Sequence, residues 1–294
     1  MGEDRNLPDT VIVTGGNGRI GRRVVEDLRR QGRRVVSLVR RRSGGSHPDD
    51  LAVELTNSAD VKRAIEGAGA TALLHLASVL RGDDLESMNV QIHRAVADGI
   101  RSTAIRRVVH ASSGAVYGVA ADAARTEESS LDTTSSYARA KLKEEALLGA
   151  LTADDPDICV ASLRIFNVAG PDFPDSLVQR LVRASPSKPV TVIGPDRFTR
   201  DYIHQDDVIE VLRIALEQNE PGHRIVNVGA GVPVTTRMLL ERLEVDPAAV
   251  IELPGEVNAN WADNSKMLRL FGVQPRSVPD RSWDGPHAAD SRFA

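Results

Sequence analysis

Cysteine is nearly missing from this chain. The single Cys159 lies in an apolar run, so neither a disulfide framework nor a cysteine-built metal site can form within one chain, and a cytoplasmic location is expected. Long hydrophobic runs are missing too. No stretch approaches the ~18 apolar residues of a membrane helix, and Met1 to Pro8 is polar, without the apolar segment of a signal peptide. There is no surplus of positive charge: a net charge of -4 creates no basic field to attract nucleic acid or an anionic membrane. Lysine is scarce beside arginine, confined to Lys62, Lys141, Lys143, Lys188 and Lys266, so a lysine within a motif is seldom filler. What is present is length. With 294 residues, 41% of them hydrophobic, the chain can bury a large core, as one large domain or as a domain with a smaller lobe.

Thr10 to Thr14 is β-branched and reads as a buried strand. Gly15, Gly18 and Gly21 follow at once, and a helix from Arg22 to Gln31 comes next, stopped by Gly32. Glycines between a strand and a helix allow a tight turn and close approach of backbone to a pyrophosphate, which the helix N-terminus then attracts. Further strands are expected at Arg34 to Val39, Leu51 to Leu55, Thr71 to Ala77, Arg107 to Ala111 and Asp157 to Phe166, with helices at Ala59 to Gly67 and Leu85 to Ala104 between them. Alternation at this spacing predicts an α/β fold, a Rossmann-type doubly wound parallel sheet over residues 1–166. After Asn167 the alternation loosens and prolines accumulate. Residues 167–294 are expected to form mainly a smaller substrate-binding lobe with some returns to the main sheet, ending in a loose polar tail from Gln274.

Several residues carry chemistry. At the end of the second strand stands Val39, followed by Arg40-Arg41-Arg42. No carboxylate is placed there to hold the ribose hydroxyls, and Arg40 can pair with a 2′-phosphate, which favours NADP(H) over NAD(H). His75 interrupts an apolar run with no partner at ligand spacing in the sequence. It is expected to be a packed, hydrogen-bonded histidine, and no metal site is expected. Thr133 to Ser136 can cap a helix that carries Tyr137 and Lys141. Four positions apart, those side chains share one helical face. An ammonium beside a phenol favours the phenolate, and such a tyrosine can exchange a proton with a substrate oxygen. The glycine turn, Ser78, Ser113 and the start of the Tyr137 helix all fall beyond strand carboxyl ends, where ligands of such sheets bind.

In order along the chain stand Thr14-Gly15-Gly16-Asn17-Gly18-Arg19-Ile20-Gly21, His75-Leu76-Ala77, Ala111 to Gly118, Tyr137-x-x-x-Lys141, Leu163-Arg164-Ile165-Phe166-Asn167 and Arg200-Asp201-Tyr202-Ile203-His204. The set closely resembles the extended short-chain dehydrogenase/reductase family, in its nucleotide-sugar epimerase, dehydratase and ketoreductase branch. The resemblance implies roles. Tyr137 is the proton-transferring residue, Lys141 lowers its pKa and holds the nicotinamide ribose, and Ser113 hydrogen-bonds the substrate oxygen. Gly15, Gly18, Arg19, Ile20 and Gly21 form the pyrophosphate turn, Glu54 and Leu55 lie beside the adenine, and Leu76 and Ala77 line the cofactor. Asn167 and Arg200 hold the sugar-nucleotide diphosphate, unless Arg200 is a surface arginine paired with Asp201 or Asp206. A homodimer is implied as well.

Departures from the family pattern narrow the activity. Dehydratases carry an Asp-Glu pair where this chain has Gly114-Ala115, so dehydration is not expected. A second phosphate-binding arginine, counted back from Trp261-Ala262-Asp263, is replaced by Leu253. The leading expectation is NADPH-dependent reduction of a keto group on a nucleotide-linked sugar, a 4-keto-6-deoxyhexose. The alternatives are an NAD-dependent nucleotide-sugar 4-epimerase and a non-catalytic dinucleotide-binding protein.

Overall fold

In a computed structural model of the protein, residues 10–41, 47–120, 122–276 and 278–284 are described. Thr10–Thr14 forms β1 and is buried along its whole length, as suits a strand apolar on both faces at the centre of a parallel sheet. The chain then alternates through α1 Arg19–Arg30, β2 Arg34–Val39, β3 Asp50–Ala52, α2 Ser58–Ala68, β4 Ala72–His75, α3 Leu85–Ile100, β5 Arg107–Ser113, α4 Ser136–Gly149, α5 Leu151–Asp154 and β6 Cys159–Ile165. Shorter elements follow: β7 Asn167–Ala169, α6 Leu177–Val182, β8 Val190–Ile193, β9 Phe198–Arg200 and β10 Tyr202–His204. The last are α7 Gln205–Ala215, β11 Gly222–Val228, β12 Val234–Thr235, α8 Thr236–Arg242, β13 Val250–Leu253, β14 Asn258–Asn260 and α9 Ser265–Phe271.

The central sheet has seven strands in the order β11-β6-β5-β4-β1-β2-β3. β1 pairs in parallel with β2 on one side and β4 on the other, Thr14 lying opposite Leu38 and His75. The chain therefore leaves β1 toward one edge and returns past it toward the other. That reversal opens a crevice beyond the strand carboxyl ends. On one face of the sheet Ile12, Val36 and Leu38 pack against Val61 and Ile65 of α2 and Val96 and Ile100 of α3. Local signals set the helix ends. Asn57 accepts from the Ala59 and Asp60 N–H groups to start α2, and Gly69 at φ 62 stops it. Ser135 accepts from the Ala138 N–H at 3.0 Å and starts α4.

The residues group into two compact units. The first comprises the chain up to Val116, Ser130–Arg164 and Ile209–Val226; the second comprises Tyr117–Ser129, Ile165–Val208 and the chain from Asn227. Within residues 1–166 the segment Tyr117–Ser129 groups with the second unit, and beyond them Ile209–Val226 groups with the first. That unit contains a β10-β7 pair, a β12-β9-β14 sheet and a β13-β8 pair. These strands have two to four residues each. Most are too short to show a period in sequence, and most of them escape a sequence reading.

The expected loose tail from Gln274 needs correction. Arg281–Asp284 forms a 3-10 turn, and Trp283 is buried in the second unit's core with Val178, Leu181, Tyr202 and Leu239. Its ring meets His204 edge-on at 5.0 Å, and its carbonyl accepts from Gln179 Nε2 at 3.3 Å. Residues 285–294 lie outside the described residues. An indole placed this way acts as a C-terminal anchor. Trp283→Ala is expected to destabilise the protein by about 3–5 kcal/mol, read as a lowered urea midpoint; an unchanged midpoint would show the segment to be dispensable.

Candidate active site

The turn after β1 is built by contacts that only hydrogen side chains permit. Gly15 has φ +70, and a Cβ there would lie 2.8 Å from the Ala77 nitrogen and 2.9 Å from the Leu76 carbonyl carbon. A Cβ on Gly21 would lie 2.1 Å from the Gly15 oxygen, a backbone atom that cannot swing aside. The Gly18 N–H donates to that same oxygen at 2.9 Å. Gly18 itself has no side chain to cap α1, whose N-terminus carries the positive end of the helix dipole. Thr14 completes the cradle. Its hydroxyl accepts from the Leu76 and Ala77 N–H groups at 3.2 and 3.3 Å, joining the ends of β1 and β4. These features fit a dinucleotide pyrophosphate. Gly15, Gly18, Gly21, Leu76 and Ala77 are thus brought together, with Arg19 and Ile20 opening the helix.

Arg40 is exposed just past β2. Arg42 to Ser46 lie outside the described residues. Glu54 and Leu55 follow β3 rather than lying in it, since the strand stops at Ala52. The Glu54 carboxyl is held below the usual range, first by the Thr56 hydroxyl and N–H and, less strongly, by the Arg40 charge.

Lys141 sits at the inner end of the pair. Its Nζ lies 5.8 Å from the centroid of the Tyr137 ring and donates to the Ala111 carbonyl at 3.0 Å and the Ser78 hydroxyl at 3.3 Å. Those contacts fasten α4 to the end of β5, two residues before Ser113. The Ser113 hydroxyl accepts from the Ala115 N–H at 3.2 Å as β5 ends. Ser113, Tyr137 and Lys141 thus belong to one unit, at the carboxyl ends of its strands.

Two residues that matter here lie far from the motif in sequence or escape its pattern. Asn89 is buried in α3 and bonds both the N–H and the carbonyl of Val79, at 2.7 and 2.8 Å, which fixes the loop bearing Ser78. Glu144 places Oε2 2.8 Å from Lys141 Nζ, and both side chains are almost wholly buried. His110 Nε2 and His93 Nε2 each lie 3.2 Å from that same oxygen. His75 is packed and hydrogen-bonded to the Thr14 hydroxyl at 2.6 Å, and it is not isolated: its ring centroid is 4.3 Å from that of His93 and 6.0 Å from that of His110. Burial drives all three imidazoles well below their ordinary pKa, and the Lys141 charge adds to this. The cation these groups enclose is the Lys141 ammonium.

Asn167 and Arg200 belong to the second unit. The Asn167 amide donates to the Asp201 carbonyl at 3.1 Å. Arg200 is half-buried, stacks over Phe198 at 4.0 Å, and donates to the carbonyls of Thr199 and Asn258, both at 2.9 Å. The Asp201 carboxylate instead accepts from the N–H groups of Ala230, Gly231 and Ala262 at 2.7, 2.9 and 3.1 Å. Burial pushes that carboxyl up to about 6 against the pull of the three donors. At 253 the exposed Leu253 ends β13.

Residues 11–229 match the NAD-dependent epimerase/dehydratase family. The chain is similar to sterol demethylase protein B of Methylococcus capsulatus, 30% identical over 236 residues, covering 75% of this chain and 70% of that protein. It is 27% identical over 300 residues to UDP-glucose 4-epimerase of Mycolicibacterium smegmatis, covering 90% of this chain and 93% of the other. Among solved structures, MoeE5 in complex with UDP-glucose and NAD superposes with a TM-score of 0.79 at 26% identity, covering 92% of this chain and 94% of the other.

The Gly21 contact supplies a direct test of the cradle. Gly21→Ala is expected to abolish binding of reduced dinucleotide, measured by fluorescence titration, because the added carbon collides with backbone. Binding at native affinity would show that the turn is not the pyrophosphate site.

Proposed function

Since the chain belongs to the NAD-dependent epimerase/dehydratase family, within the extended short-chain dehydrogenases/reductases, we propose that it exchanges hydride and proton at a hydroxyl- or keto-bearing carbon of a nucleotide-linked sugar. The observation that carries this reading is Lys141, buried and held by three partners beside the Tyr137 ring at the end of the strands. The bound nicotinamide supplies or accepts the hydride. Tyr137 exchanges the proton with the substrate oxygen, and Ser113 steadies that oxygen as charge develops on it. Glycines at positions 15 and 21 leave room for the pyrophosphate, and the substrate diphosphate is assigned to Asn167 and Arg200, whose amide and guanidinium are apt donors to phosphate.

Two finer readings follow from different observations. The relatives named UDP-glucose 4-epimerase, together with neighbours that hold NAD and UDP-sugars, support 4-epimerisation with retained NAD. The strand end at Val39 with Arg40 beyond it supports a net reduction by NADPH, with Arg40 on the 2′-phosphate. Gly114-Ala115, in place of a carboxylate pair, argues against dehydration under either reading.

Cofactor content separates the two. Stoichiometric NAD released from the purified protein on acid denaturation is the result expected of the epimerase. Cofactor-free protein that consumes NADPH with a 4-keto sugar nucleotide is expected of the reductase, and Arg40→Ala should then weaken NADPH but not NADH. Under both, Tyr137→Phe should lower turnover by ~10²–10⁴-fold, the usual range for a positioned acid–base group. Unchanged turnover in that variant would sink the assignment.

A further inference from the structure

The buried face of α4 sets a carboxylate against the proton-transfer pair. Lys141 already has oxygen partners in Ala111 and Ser78, and an ammonium next to a phenol would by itself favour phenolate. Glu144 adds a carboxylate 2.8 Å from that ammonium, where both side chains are out of water. Solvent cannot screen the pair in such a place, so a phenol nearby feels something close to a dipole rather than a free positive charge.

Uncharged groups surround Glu144 on its other sides. His110 donates from Nε2 to Oε2, and His93 Nε2 lies at the same 3.2 Å. Both rings are held neutral, chiefly by burial, and so bring no balancing charge of their own. His75 of β4, the remaining titratable group at the cluster, is neutral for the same reason. The adjacent Glu145 contributes little, because it is turned to Arg164 and Ser112, with contacts of 2.8 and 2.5 Å. Glu86 is engaged by Arg139 and Lys143 at 2.9 and 2.7 Å. Among the described residues, Glu144 Oε1 accepts no hydrogen bond. Packing alone would not retain such a group, since an apolar side chain of similar length would fill the space without leaving a buried oxygen unsatisfied.

We propose that Glu144 is a positioning residue for the Tyr137–Lys141 pair, a buried counter-ion that offsets the ammonium's pull on the phenol and keeps Tyr137 in its protonated, proton-donating form. The inference rests on the reading of Tyr137 as the proton-transfer group, and it deepens that reading by favouring the reductive direction. In that direction the Tyr137 O–H bond breaks as an O–H bond forms on the substrate. The substrate carbon receives the hydride of the bound nicotinamide, and the phenolate left behind faces a still-charged Lys141.

The test uses the intact 294-residue chain and requires no turnover. The sequence contains three tyrosines, and two are ill-placed to ionise. Tyr202 is pushed up by burial, and Tyr117 is buried with its hydroxyl donating to Asn227 at 2.7 Å. The first phenolate absorbance step on raising pH should therefore belong to Tyr137 and vanish in Tyr137→Phe. Glu144→Gln is expected to move that step to lower pH by about one unit, and Glu144→Asp, with its carboxylate drawn back, to move it by less in the same direction. A step that stays in place or rises, in protein that still binds NADH, overturns the proposal. Should Glu144→Gln fail to fold, the sign of the Glu144→Asp shift decides the matter alone. Failure of the underlying reading would look different: Tyr137→Phe would retain turnover while the phenolate shift remained.

Discussion

Keeping a lysine ammonium out of water is the constraint around which the first unit is arranged. An isolated buried charge costs several kcal/mol even after relaxation, so Lys141 requires oxygen on every side. The Ala111 carbonyl, the Ser78 hydroxyl and the Glu144 carboxylate supply it, from β5, the loop after β4 and α4 itself. The same helix handles a second buried cation one position further on. Glu145 receives the Arg164 guanidinium through two hydrogen bonds, at 2.9 and 2.8 Å. Consecutive glutamates thus neutralise two cations, one in a neighbouring strand and one in the helix. Breaking either pair would leave an uncompensated charge in the core, which explains why a helix packed between a sheet and α3 presents so polar an inner face.

That polar face also marks where sequence reading reaches and where it stops. The strand run at Thr10, the three glycines and the Tyr137–Lys141 spacing are local patterns, each written within a few residues, and the sheet and the glycine turn follow from them. Cap residues such as Ser135 are local too. His93, His110 and Glu144 are different. They stand on α3, β5 and α4, and no periodic rule links residues 93, 110 and 144. Only the pairing of β4 with β5, which sets His75 opposite His110, and the packing of α3 against α4 bring them to one point. Glu144 was hidden further by its neighbour, since two glutamates in a helix ordinarily read as solvated surface.

The second unit was less legible for a related reason. Its strands are short, and their partners are distant in sequence, as when β9 pairs with β12 and with β14. Asp201 organises much of it by receiving backbone N–H groups from residues 230, 231 and 262. A motif can locate such a residue but not assign it that work. Arg200 is likewise held by its own strand neighbours, through Phe198 and Asn258, which fixes the guanidinium plane before any ligand arrives and lowers the ordering cost of binding. With Leu253 where the family pattern has an arginine, more of the anion recognition proposed for this lobe rests on that one fixed group.

The order in which the chain is made meets a difficulty in β11. This edge strand of the large sheet, Gly222–Val228, follows β7 to β10 and α7 in sequence. A growing chain therefore completes β6 well before the strand that covers it exists, and until then β6 presents an open row of backbone donors and acceptors, the kind of edge that recruits other strands. The second unit waits longer still, because Trp283, which enters its core, is made well after β11. The first unit is complete only once Val226 has been made, and the second only once Trp283 has. Truncation ahead of β11 should consequently yield chains prone to self-association rather than a free-standing dinucleotide-binding module.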